Sequence, residues 1–346
     1  MTNHNPADRV NASFAVSSPR MLLHQEGKTW EQVPSPYGTR DNSHPAAVRS
    51  IVVPLDGSLH AEHALPYALA IARRSGAILR IVHVHSRLDH FEPWQMYSSL
   101  ATSERRKEEK QEYLRDVANR IAHTNSVAVE TILIDSADTE DSLVLATESA
   151  DLVVMASRRR GFLRRLWSYS VADALRRRLR VPVLIVRGHP SPVDLTADPI
   201  ARNILIPLDG STVAARILAP ATAIGGLEGA TFTLLNVQNQ EWTNGTFEHT
   251  SPSGYLSGIA RDVREVVPVV NAHVVTTDRP ISTALTSFAE GRKVDLIAIA
   301  TQSDSGMTRL LRGSITDRLI RQTDLPILSL GIDVKWNRPE VTTVAE

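Results

Sequence analysis

The chain has 346 residues, 42% of them hydrophobic and 22% charged, with 38 basic side chains against 38 acidic ones and no cysteine. At about 150 residues per domain this length predicts two domains plus additional chain, and the composition excludes a disordered or fibrous protein. The missing cysteines exclude disulfides, thiol nucleophiles and iron–sulfur clusters, and leave a zinc ion only histidine and carboxylate ligands. No apolar run approaches the roughly 20 residues of a membrane span, and the first residues lack a basic-then-apolar signal, so a cytosolic (cytoplasmic) protein with no membrane partner is expected.

In chain order, residues 1–48 are rich in Asn, Ser, Pro and His and read as a flexible leader. The run IVVPL at 51–55 predicts a buried strand. Ser58 follows as an N-cap, Ala61, Ala64, Leu65, Ala68, Leu69 and Ala72 form one helical face, and Gly76 closes the helix. Then come strand ILRIVHV, a charged helix over 104–123, strand VAVETILI, a helix over 139–149, strand LVVMA, a helix over 170–180 and strand VPVLIV. After a proline-containing spacer at 189–201 the order recurs: NILIPL, a helix from 212, TFTLLNV, a weaker helix near 255–265, VVPVVNAHVV, a helix over 280–292, LIAIA, a helix over 314–323, and PILSL, with a tail over 332–346. Strands alternating with helices imply right-handed crossovers and parallel sheets covered on both faces. The predicted fold is therefore α/β, two tandem doubly wound five-stranded sheets, in domains 49–188 and 202–331.

The recurrence is a duplication. SIVVPLDGS at 50–58 matches NILIPLDGS at 203–211, which puts Asp56 and Asp209 153 residues apart. Later pairs, Asp151 with Asp295, Ser170 with Ser314 and Pro182 with Pro326, are each 144 apart. Ligands of such sheets bind beyond the carboxyl ends of the strands, where the strand order reverses. Two loops per copy qualify. One is PLDGS, which reads equally as an Asp–Gly turn with a serine cap. The other joins the fourth strand to the last helix, whose start at Ser170 or Ser314 favours an anion.

The PLDGS loop, the later loop with Gly161 or Gly306, the RGS of 312–314 and the closing VPVLIV or LPILSL together resemble the universal stress protein family in its tandem form. The resemblance implies an adenine-nucleotide α-hydrolase-like fold, a role in stress response, pairing through the last strands at 181–187 and 325–330, and no catalysis beyond weak ATP hydrolysis. One chain could supply both halves as a pseudo-dimer, which leaves room for a homodimer and for an unidentified protein partner. ATP-binding members place the first aspartate near adenine and a glycine-containing loop around the phosphates, with magnesium. In copy one this implies Asp56, Ala156, Ser157, Arg158, Gly161 and Ser170, and in copy two Asp209, Ala300, Thr301, Gly306, Gly313 and Ser314. The family's three loop glycines are Ala156, Arg159 and Tyr169 in copy one but Ala300, Ser303 and Gly313 in copy two. Because glycine lets backbone amides approach phosphate, copy two is the better expected site. The competing expectation is a protein-interaction module with vestigial pockets.

Residues 158–188 hold ten arginines and one acidic residue, Asp173. They predict weak, salt-sensitive association with polyanions and no specific nucleic-acid recognition. The competing explanation pairs these arginines with Glu104, Glu108, Glu109 and Glu112 or with acidic residues of a second chain. His83 and His85 alternate on the second strand and are expected as a buried, hydrogen-bonded pair rather than metal ligands; His60 and His63 are treated likewise. No P-loop, G-x-G-x-x-G, G-x-S-x-G or H-E-x-x-H pattern occurs, which argues against an enzyme.

Overall fold

The computed structural model describes residues 48–86, 99–136, 138–157, 179–239, 251–300, 315–331 and 336. The first copy runs β1 (Ser50–Pro54), α1 (Leu59–Glu62), α2 (Leu65–Ser75), β2 (Ile78–Ser86), α3 (Ser99–Thr124), β3 (Val129–Ser136), α4 (Thr139–Thr147), β4 (Leu152–Ser157) and β5 (Val183–Arg187). The second runs β6 (Asn203–Pro207), α5 (Thr212–Ala215), α6 (Leu218–Gly226), β7 (Thr231–Asn239), α7 (Pro252–Arg264), β8 (Val269–Thr277), α8 (Ile281–Gly291), β9 (Leu296–Ala300), α9 (Ile315–Gln322) and β10 (Ile327–Leu330). The leader at 1–47, the arginine-rich stretch at 158–178, residues 301–314 and nearly all of the tail lie outside the described residues.

The ten strands among the described residues form one sheet in the order β3-β2-β1-β4-β5-β10-β9-β6-β7-β8. Each half is parallel, and β5 meets β10 antiparallel, so the closing strands do pair. Leu184 stands directly opposite Leu328, which is its own counterpart 144 residues later, so a local two-fold axis passes through that pair. Helices α2, α3, α6 and α7 cover one face over a single apolar core that runs across both halves. On the other face α4 covers one cluster while α8 and α9 cover another, and Ile320 touches both.

Two expectations change. The first helix is not continuous: α1 stops at Glu62 and α2 starts at Leu65, and α5 and α6 show the same break. Pro66 and Pro220 cause it, because a proline offers no N–H to the carbonyl four residues back and its ring collides with that carbonyl. Gly76 does close α2, in the left-handed conformation (φ 71°) that favours glycine. The spacer at 189–201 is also more than a connector. Its Asp198 receives Arg73 at 2.5 Å and Arg74 at 2.7 Å, its Leu195 carbonyl receives Asn125, and Arg74 also pairs with Glu228 of the second copy. Arg187, 7% exposed, reaches across the seam to the carbonyls of Ile320 (2.5 Å) and Thr323 (2.7 Å) at the end of α9, and to Asp324 (3.0 Å).

Candidate functional site

In each half the strand order reverses between the first and fourth strands, β1 beside β4 and β6 beside β9. The crevice beyond their carboxyl ends therefore gathers Asp56 with Ala156 and Ser157 in copy one, and Asp209 with Ala300 in copy two. Arg158, Gly161, Ser170, Thr301, Gly306, Gly313 and Ser314 lie outside the described residues.

The PLDGS loops are built alike. Asp56 Oδ1 accepts from the Ser58 backbone N–H (2.9 Å) and hydroxyl (2.5 Å), and Ser58 Oγ accepts from the Ala61 N–H. Asp209 accepts from Ser211 in the same way at 2.9 and 2.6 Å, and Ser211 caps through the Ala214 N–H. Gly57 (φ 83°) and Gly210 (φ 94°) require the freedom of glycine to turn the chain between strand and helix. The turn-with-cap reading is thus correct, and it also fixes each carboxylate at the crevice.

Beneath each loop sits a buried polar residue that sequence reasoning did not pair. Asn236 Nδ2 donates to the Leu208 carbonyl at 2.7 Å, and His83, 153 residues earlier, donates to the Leu55 carbonyl. Each leaves a buried atom without a hydrogen bond, Asn236 Oδ1 and His83 Nδ1. The expected hydrogen-bonded histidine pair is corrected accordingly. Both rings are buried, but His83 makes that one bond and His85 Nε2 makes none, because the strand turns them into the apolar space under α3. Among the described residues no three His, Asp or Glu side chains are placed to hold a metal ion. His63 Nε2 instead donates to the Ser191 carbonyl and meets the His189 ring edge-on.

Burial holds His83 down at about 4, with the Lys110 ammonium adding to the effect. A folded state that refuses the proton while the unfolded chain takes it up loses stability as pH falls. The contribution is complete above 6.5 and disappears between 6.5 and about 4; it amounts to about 3 kcal/mol. His83→Asn, which installs the copy-two residue, should flatten that part of the profile in urea unfolding between neutral pH and the acid range. An unchanged slope would assign the acid sensitivity elsewhere.

A tyrosine walls each crevice. Tyr113 on α3 lies edge-on to His83, 6.3 Å between ring centres, and Tyr255 on α7 is pushed up to about 12 by burial and by the charge of Asp209. The two correspond, because Leu114, Val117 and Ile121 face the core as Leu256, Ile259 and Val263 do. That repeated spacing after a tyrosine was the available sequence signal. Copy one adds a network: buried Glu62 accepts from the Tyr113 hydroxyl (3.0 Å) and from Arg120 (2.9 Å). In copy two the equivalent positions are Ala215 and Asp262. At the end of β4, Ser157 Oγ donates to the Val186 carbonyl, and Ala156 and Ala300 pack against the shared core. Of the acidic residues offered as partners for the arginine cluster, Glu109 pairs with Arg105 on its own helix.

A sequence profile described as the universal stress protein family matches residues 47–187 and 201–330. A protein named as a universal stress protein in Mycobacterium tuberculosis is 23% identical over 309 residues, covering 83% of this chain and 98% of its own length, and a Mycobacterium bovis protein of the same description matches equally. The crystal structure of a universal stress protein from Archaeoglobus fulgidus superposes with a TM-score of 0.63 at 20% identity, covering 82% of this chain and 96% of that one. A putative universal stress protein of Pseudomonas aeruginosa gives 0.56 at 19%, covering 83% and 95%. No helix among the described residues is long and apolar enough to cross a membrane.

Proposed function

Because the chain belongs to the universal stress protein family over both matched segments, we propose that it is a non-catalytic stress-response protein that binds an adenine nucleotide such as ATP in copy two. The observation that carries this reading is the Asp209 crevice. A carboxylate fixed by Ser211 stands at the strand-order reversal beside Tyr255, in the copy whose loop sequence keeps Gly313 and Ser314. Asp209 and Tyr255 would meet the nucleoside, the first as an acceptor for an amino or hydroxyl donor and the second as an apolar wall with a polar tip. Thr301, Gly306, Gly313 and Ser314 would meet the phosphates through backbone amides and the start of α9. The working units are domains 49–188 and 202–331, joined by 189–201.

Calorimetry with ATP on the full chain tests this. Asp209→Ala should abolish binding, whereas Asp56→Ala should leave it unchanged. The opposite pattern would move the site to copy one. No binding to the folded wild-type protein, with no nucleotide carried through purification, would favour the interaction-module reading, for which the lost glycines at Ala156, Arg159 and Tyr169 speak.

A further inference from the structure

Copy one differs from copy two at one further position of the crevice. Lys110 lies on α3 three residues before Tyr113, on the side facing the PLDGS loop, and its ammonium comes within 3.4 Å of where a Cβ on Gly57 would stand. The same register on α7 places Pro252, the first residue of that helix, at the equivalent position. Helix α3 begins at Ser99 and so runs about three turns further toward the strand ends than α7 does. From the preceding turn of this extension Lys107 reaches Asp135 at 3.5 Å, beside the carboxyl end of β3. Copy one therefore carries a helical arm with two ammonium groups over its strand ends, one of them against the loop that positions Asp56.

We infer that Lys110 closes the copy-one crevice to nucleosides by standing over the Asp56–Gly57 turn, so that each chain takes one nucleotide, in copy two. The inference rests on the nucleotide-binding reading above. An amino or hydroxyl donor brought to the Asp56 carboxylate would have to compete with the ammonium that stands at Gly57, the next residue, and a planar base would have to displace the lysine stem from the loop. That competition should weaken a nucleoside at copy one by about tenfold or more. That is enough to reduce occupancy well below one at nucleotide concentrations that fill an uncontested site. The helix holds the stem in place, since Tyr113 and Leu114 anchor the same face of α3, Tyr113 to Glu62 and Leu114 in the core. Among the described residues the arrangement is confined to copy one, because Pro252 offers no charge to the Asp209 loop.

The test is equilibrium dialysis of the full-length protein against labelled ATP, read as moles bound per mole of chain. Wild type should bind one, Lys110→Ala two and Lys110→Arg one. Adding Asp56→Ala to Lys110→Ala should return the count to one, which locates the gained nucleotide. If Lys110→Ala stays at one, and that one is lost with Asp209→Ala, the closure is wrong while the reading of copy two stands. If wild type already binds two, or if Lys110→Ala weakens binding at copy one, Lys110 is a contact and not an obstacle, and the inference falls. If neither wild type nor Lys110→Ala binds ATP, the nucleotide reading falls and takes this inference with it.

Discussion

Leu328→Asp is expected to keep the chain from reaching its native state. Leu328 is fully buried, pairs with Leu184 on the local two-fold axis, and joins the halves across the β5–β10 seam. A carboxylate there would have no cation or donor in the sheet interior, where an unpaired charge costs several kcal/mol even after relaxation. Against a total stability of about 5–15 kcal/mol, that is most of the margin. The milder Leu328→Ala should cost about 2–5 kcal/mol through lost burial and the cavity left behind. Urea unfolding followed by circular dichroism reads both. Because one core runs across both halves on one face of the sheet, the alanine variant should lower the midpoint of a shared transition. Two resolved transitions in the wild type would show instead that the halves unfold independently and that the seam contributes little.

The second large effect is expected at Arg120→Ala, with a loss of about 3 kcal/mol. The Glu62 carboxylate is only 4% exposed, and Arg120 supplies its charged partner at 2.9 Å while Tyr113 supplies a neutral donor at 3.0 Å. Removing the arginine leaves a buried carboxylate with one hydrogen bond. The double variant Glu62→Ala with Arg120→Ala removes the charge as well, and at position 62 it reproduces Ala215 of copy two. It should recover most of the loss, and a double-mutant cycle measures how much. If the single Arg120→Ala change costs less than 1 kcal/mol, water reaches Glu62 and the network is a surface pair.

The duplication and the alternation of strands and helices were legible in the sequence because they depend on features that repeat: PLDGS, the aspartates at 151 and 295, and the apolar runs ending each copy. Asp56 and Asp209 could be found for the same reason. The pairing of the last strands followed from the family resemblance alone, and the order of strands within the sheet came only from the fold. What the sequence hid is what the copies do not share. Glu62 and Arg120 are 58 positions apart, and nothing in either local pattern says that a glutamate on a short helix will be buried under a long charged one. Lys110 reads as one more charge on a solvated helix until the fold brings that turn over Gly57. His83 and Asn236 differ in chemistry yet do the same work, donating to the carbonyl of Leu55 or Leu208, so a search for identical residues passes over them. The split of the first helix was readable in principle from Pro66 and Pro220, but the small-residue periodicity running through both prolines outweighed them.

The reach of Arg187 into α9 makes the tandem arrangement directional. The counterpart of Arg187 in the second copy is Gly331, which has no side chain to offer in return. Two second copies expressed alone and paired through β10 would leave both α9 helices with uncapped carbonyls at Ile320 and Thr323, whereas the native chain supplies the arginine from its other half. The two-fold symmetry of the seam is thereby broken in favour of unlike halves. If the gene were cut at the spacer, the two products should prefer each other over copies of themselves, and the second should be the one that fails to hold its last helix alone.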